Sequence, residues 1–169
     1  MRALLLLGAC MTLSSCGLQP MYAGGGDSAV AQGLAGVEVP AIEGRAGWLL
    51  RNALNDRLGV AGDAASRYRL DVRIDDSLQA LGVLNDDTIS RERRILRARY
   101  QLVDNSTGDI LLDATAASDA GIDVVSSEYA TIAAEQTALE NLARDLADRM
   151  VQRVALTLRE SGQEAASAQ

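Results

Sequence analysis

Arg67-Tyr68-Arg69-Leu70-Asp71-Val72-Arg73-Ile74-Asp75 alternates charged and apolar side chains without a slip. A period of two belongs to an extended strand, whose successive side chains point to opposite faces of a sheet. Tyr68, Leu70, Val72 and Ile74 therefore predict a dry face, and the arginines and aspartates between them a wet one. Further along, the pattern returns from about Ile89 to Asp104, with Leu96, Ala98, Tyr100 and Leu102 on the apolar side. Asn105-Ser106-Thr107-Gly108 supplies turn chemistry, and Ile110, Leu112, Ala114 and Ala116 continue as a third alternating strand. Three such strands in succession predict an antiparallel meander.

The segments on either side have helical spacing. From Arg45 to Leu58, Trp48, Leu49, Ala53, Leu54 and Leu58 recur at three- and four-residue steps and stop at Gly59. From Glu128 to about Arg159, Ile132, Leu139, Leu142, Leu146, Met150, Val154 and Leu158 form a second stripe. Ser126-Ser127 offers caps, and Glu128 suits the positive end of that helix dipole. Val37-Glu38-Val39 ahead of Pro40 reads as a short edge strand. The order strand, helix, three strands, helix predicts an α/β (α+β) two-layer sandwich. Its sheet has about four strands and is mixed, with two helices on one face. The first strand, reached through a helical crossover, is expected parallel to its neighbour with a right-handed connection.

Composition removes several functions. The chain has 169 residues, 48% hydrophobic and 23% charged, which fits one globular domain. All 16 basic residues are arginines, against 23 acids, for a net charge of −7. That balance opposes nucleic-acid binding. With no histidine, triad-type nucleophilic catalysis and histidine-rich zinc sites are excluded, and no enzyme, metal or cofactor is expected. Gly24-Gly25-Gly26 lacks the Gly-Lys-Ser ending of a phosphate loop and reads as a linker. Asp75-Asp76 and Asp86-Asp87 lack the spaced ligands of a calcium loop and read as solvated turn residues.

Both cysteines, Cys10 and Cys16, lie at the N-terminus, so no disulfide framework is possible in the domain. Met1-Arg2, an apolar run and small residues compose a secretory signal too short to span a bilayer. Leu13-Ser14-Ser15-Cys16 resembles the bacterial lipobox, which implies acylation of Cys16 and cleavage before it. Leu7-Gly8-Ala9-Cys10 also matches locally but leaves only nine residues of signal, and a plain signal peptide is the bland alternative. Gly17, where an aspartate would retain the protein at the inner membrane, implies sorting to the outer membrane. The expected organisation is a signal peptide over 1–15, a lipidated flexible tether over 16–36, an α/β domain over 37–160 and a disordered tail over 161–169.

Charge is unevenly spread. Residues 67–99 hold eight arginines and six acids, a net of +2, while the rest carries −9. Strand parity places Arg67, Arg69, Arg73, Arg91, Arg93, Arg97 and Arg99 on the wet face, where guanidinium forks suit phosphate. The competing reading is a solvated face laced with pairs to Asp71, Asp75 and Glu92. Between the first two long strands, Leu78, Leu81, Val83 and Leu84 form an apolar hairpin end that contacts lipid or a partner, or only extends the strand.

Cys16-Gly17-Leu18-Gln19-Pro20-Met21-Tyr22 resembles the start of the lipopolysaccharide-assembly lipoproteins (LptE) of alphaproteobacterial type. Tyr129-Ala130-Thr131-Ile132-Ala133-Ala134-Glu135 and Leu146-Ala147-Asp148-Arg149 are similar to that family's last helix. One departure is the missing aromatic near Gly121-Ile122. The resemblance implies a non-enzymatic outer-membrane lipoprotein that plugs an LptD-like β-barrel translocon, assists its assembly and binds lipopolysaccharide. It places ligand binding near the second hairpin, where Arg91, Arg93, Arg94 and Arg97 are the candidates. A lipid-anchored pilot protein of a secretin or an intermembrane lipid transporter is the alternative from another class. An envelope hydrolase is opposed by the absent histidines.

Overall fold

The computed structural model of the chain describes residues 29–59, 66–83 and 89–167. Seven elements follow in order: α1 (Ala29–Ala35), β1 (Val37–Glu38), α2 (Gly44–Leu58), β2 (Tyr68–Val83), β3 (Ile89–Asp104), β4 (Ile110–Asp123) and α3 (Glu128–Ser167). The four strands form one sheet in the order β1-β2-β3-β4. β1 runs parallel to β2 through Val37 and Tyr68, and the other pairs are antiparallel. This is the mixed four-stranded sandwich that the alternation predicts. Cys16, the 1–15 signal, the glycine run and Leu84 to Thr88 lie outside the described residues.

Three differences separate structure and expectation. The stretch read as tether ends in α1, whose Leu34 is buried in the core beside the last turns of α3. The tail expected to be disordered after residue 160 is helical through Ser167, because nothing breaks α3 once its stripe has run out. β2 does not stop near Asp75: it continues to Val83, so Asp75-Asp76 are strand residues and not turn residues. Leu78 and Leu81 thus extend the strand, and both remain exposed.

The core lies between the dry face of the sheet and the helices. Leu70, Leu96 and Leu102 meet Leu50, Leu54, Leu146, Met150 and Val154, all with almost no exposure. Each such leucine contributes roughly 1.5–3 kcal/mol by leaving water. Small residues bring the layers together, with Ala98, Ala114, Ala116 and Ala120 on the sheet and Ala143, Ala147 and Ala155 on α3. Two glycines have steric roles in α2. A Cβ on Gly47 would sit 2.6 Å from the Ile42 carbonyl oxygen, so only glycine lets the helix press on that loop. Gly59, at φ 65°, caps the helix by donating its N–H to the Asn55 carbonyl. Among the described residues no layer covers the other side of the sheet, and that open face carries the arginines.

Candidate functional site: the arginine face of the sheet

Strand parity decides which side chains share the open face. In the β2–β3 ladder Arg73 stands opposite Arg99, and Asp75 opposite Arg97. In the β3–β4 ladder Arg91 stands opposite Asp123, and Gln101 opposite Asp113. From Arg69 onward this face holds six arginines (69, 73, 91, 93, 97 and 99) and five aspartates (71, 75, 113, 119 and 123). The positive excess of residues 67–99 is nearly cancelled once β4 lies alongside.

Most of the expected site residues are internally paired. Arg91 Nε donates to Asp123 Oδ1 at 2.9 Å, and Arg93 to Asp119 at 2.9 Å. Arg99 forms a fork on Asp113 at 2.9 and 3.2 Å, and Gln101 donates to the same carboxylate at 2.9 Å. Those hydrogen bonds, Arg99 first, hold the Asp113 carboxyl down to about 2. On β2 itself Arg69 pairs with Asp71 at 2.9 Å. Of the partners expected for these arginines, only Asp71 is used; the others come from β4, where Asp113, Asp119 and Asp123 share one parity.

Arg94 belongs to the other face. Parity turns it toward the helices, where it donates to Asp76 at 2.7 and 2.9 Å and to the Glu135 carbonyl of α3 at 3.3 Å. The Asp76 bond raises the Arg94 pKa above its ordinary value, although partial burial opposes the shift. Its side chain is only 17% exposed, which makes it a brace between sheet and helix. Glu92 shares that face and leaves its buried Oε2 without a hydrogen-bond partner in the described structure.

Two arginines stand apart. Arg73 and Arg97 are exposed and make no ion pair among the described residues. They are diagonal neighbours across β2 and β3, a separation of roughly 7–8 Å between backbones. Arg73 also faces Arg99 directly, and like charges placed opposite one another repel. Beside Arg73 a cleft of about 470 Å³ is lined by Arg73, Arg99, Gln101, Asp71 and the Pro40–Ile42 loop. An anion seated between Arg73 and Arg99 would relieve that repulsion. Arg97 was legible as a candidate in the sequence; Arg73 was visible on the face but indistinguishable from its paired neighbours.

Among the described residues no cluster of carboxylates or thiols could hold a metal ion, and no helix is long and apolar enough to cross a membrane. The family model for lipopolysaccharide-assembly LptE matches residues 34–154. No curated protein sequence matches significantly. Among solved structures, a protein of Caulobacter crescentus described as a lipoprotein is 28% identical, with a TM-score of 0.66 over 77% of this chain and 96% of that one. A minor lipoprotein from Acinetobacter baumannii shares the fold at 18% identity and a TM-score of 0.55, over 71% and 88% of the two chains. Rare lipoprotein B from Shewanella oneidensis does so at 16% identity and 0.52, over 76% and 98%. With the family match spanning the helix–sheet sandwich and the 28% identical relative covered almost whole, the chain belongs to the LptE family of lipopolysaccharide-assembly proteins.

Proposed function

We propose that this protein is a non-enzymatic outer-membrane lipoprotein, anchored through acylated Cys16, that plugs the lipopolysaccharide-transport β-barrel, assists its assembly and holds lipopolysaccharide on its arginine face. The observation that carries the ligand-binding reading is the pair of exposed guanidiniums, Arg73 and Arg97, which make no ion pair among the described residues although Asp75 stands opposite Arg97, on a face where the neighbouring arginines are paired. A phosphorylated glucosamine headgroup supplies the missing anions. Arg91 and Arg93 contribute more weakly, since a ligand must first displace Asp123 and Asp119. Arg94, facing the helices, supports the scaffold. Family membership favours this reading over a pilot lipoprotein of a secretin or lipid transporter.

Binding of the purified mature chain to lipopolysaccharide tests it. Arg73→Ala combined with Arg97→Ala should weaken binding roughly tenfold or more, the scale of losing charge-assisted hydrogen bonds. Arg91→Ala with Arg93→Ala should have a smaller effect. Unchanged affinity in a normally melting Arg73/Arg97 variant would sink the ligand-binding reading. The anchor has its own measurement: intact mass of membrane-extracted protein should show a lipid-sized addition on a chain beginning at Cys16. An unmodified thiol, or a different first residue, refutes the acylation.

A further inference from the structure

At the end of the sandwich where α1, the start of β2 and the last turns of α3 converge, the packing does not close. A cleft of about 650 Å³ remains, lined by Val30, Gly33, Gly36, Tyr68, Leu111 and Leu158. This volume falls in the ~300–1,000 Å³ of small-molecule sites. Missing side chains keep it open. A Cβ on Gly33 would already touch Leu158 at 3.4 Å, while one on Gly162 would meet nothing within 4 Å.

The polar groups along the lining fit an anion next to an apolar tail. The Arg67 guanidinium lies 5.0 Å from the centre of the Tyr68 ring and 3.5 Å from Asp104, which fixes it beside the cleft. The Asp104 carboxylate is itself occupied, accepting hydrogen bonds from the N–H and hydroxyl of Ser106. Arg159, also on the lining, makes no ion pair among the described residues.

Position narrows the ligand. Val30 is the fourteenth residue after Cys16, so the chain cannot carry this end more than ~50 Å from an anchored cysteine. Arg91 lies thirteen residues along β3 from Asp104, roughly 43 Å away at the strand's rise. The cleft is therefore within the tether's reach of the anchoring membrane and lies far from Arg91 and Arg93. Its volume suits one acyl chain and not the several that lipopolysaccharide carries.

We infer that this cleft takes one acyl chain of an anionic glycerophospholipid from the membrane that holds the protein, with the lipid phosphate on Arg159 and Arg67. The inference uses the acylated anchor of the proposed function for proximity and does not depend on the sheet arginines.

The test is photolabelling of the full acylated chain in vesicles of phosphatidylethanolamine and phosphatidylglycerol, with a diazirine near the acyl terminus of a phosphatidylglycerol tracer. Labelled peptides should map to residues 30–36 and 155–163. Gly162→Phe, which fills the cleft from a position with free space, should keep its melting temperature and reduce labelling to background. Arg159→Glu should reduce it roughly tenfold by removing a charge-assisted contact. Arg73→Ala with Arg97→Ala should leave labelling intact, which separates this site from the lipopolysaccharide face. Labelling that ignores Gly162→Phe means adsorption to the surface and overturns the inference. A rise in the Cys16→Ala chain, showing that the protein's own acyl group fills the cleft, overturns it as well. So does displacement of the tracer by lipopolysaccharide as effective as that by unlabelled phosphatidylglycerol.

Discussion

Arg94 and Arg97 stand three residues apart on one strand and have opposite surroundings. Arg94 points inward, braces Asp76 and the Glu135 carbonyl, and is largely covered; Arg97 points outward and makes no ion pair among the described residues, although Asp75 stands opposite it. An odd offset in a strand changes the face, and the face decides whether a guanidinium is scaffold or available to a ligand. The paired arginines leave a mark on their carboxylates. Asp113, between Arg99 and Gln101, is held down to about 2 from an ordinary 3.8. Because its pKa is lower folded than unfolded, the stabilisation is complete above the unfolded value and is lost as pH falls from about 3.8 through about 2. A carboxyl-carbon NMR titration should place the Asp113 midpoint near 2, and Arg99→Ala should return it toward 3.8. A wild-type midpoint at the ordinary value would mean the fork is not formed in solution.

Among the elements, α3 matches its stripe most closely. Leu139, Leu142, Leu146 and Met150 are buried as spaced, but Ile132 is 41% exposed because the stripe begins before the helix reaches the core. Truncating Leu146 to Ala should destabilise the domain by ~2–5 kcal/mol, the cost of a cavity at a fully buried leucine. Arg144→Ala should stay within about 0.5 kcal/mol, since Arg144 is exposed and bonds only within its own helix, to Glu140 and Asn141. Chemical denaturation of the two variants measures the contrast; equal losses would mean the stripe is not the core. In α2 the expected face holds at Ala53, Leu54 and Leu58 but not at Trp48. Trp48 is 60% exposed, while Ala46, Gly47 and Leu50 are buried with Ala53, Leu54 and Leu58. The indole's size weighs heavily in any hydrophobic pattern, yet the helix turns Gly47, Leu50, Leu54 and Leu58 inward, with Gly47 close against the Ile42 loop.

On the scale of the whole molecule, the helices cover less than the sheet's full length. β2 and β3 each run 16 residues, roughly 50 Å at a strand's rise, and beyond Ser77 the side chains Leu78, Gln79, Ala80 and Leu81 are all exposed. Hydrogen exchange should therefore grade along the same two strands. Amides of 70–76 and 96–102 should be protected to the level of global unfolding, while those of 79–81 and 91–93 exchange faster by roughly an order of magnitude or more. Uniform protection would show that the ribbon is packed in solution. The meander, the β1 crossover and the long final helix were readable because each depends on local periodicity: two for a strand, 3.6 for a helix. Apolar residues at those spacings must be buried wherever the element goes, so Leu70, Leu102 and Leu146 identified themselves as core. Charge pairing has no such local rule. Asp113, Asp119 and Asp123 reach Arg99, Arg93 and Arg91 from 14 to 32 residues away, and only the register of β4 on β3 brings them together. Tertiary structure alone therefore decided that the arginine-rich stretch is almost neutral on its open face, that Arg73 and Arg97 make no ion pair among the described residues, and that an apolar cleft persists where α1 meets α3. Burial of a side chain follows from its own chemistry and period, whereas the partner of a charge and the gap between elements follow from how distant segments are juxtaposed.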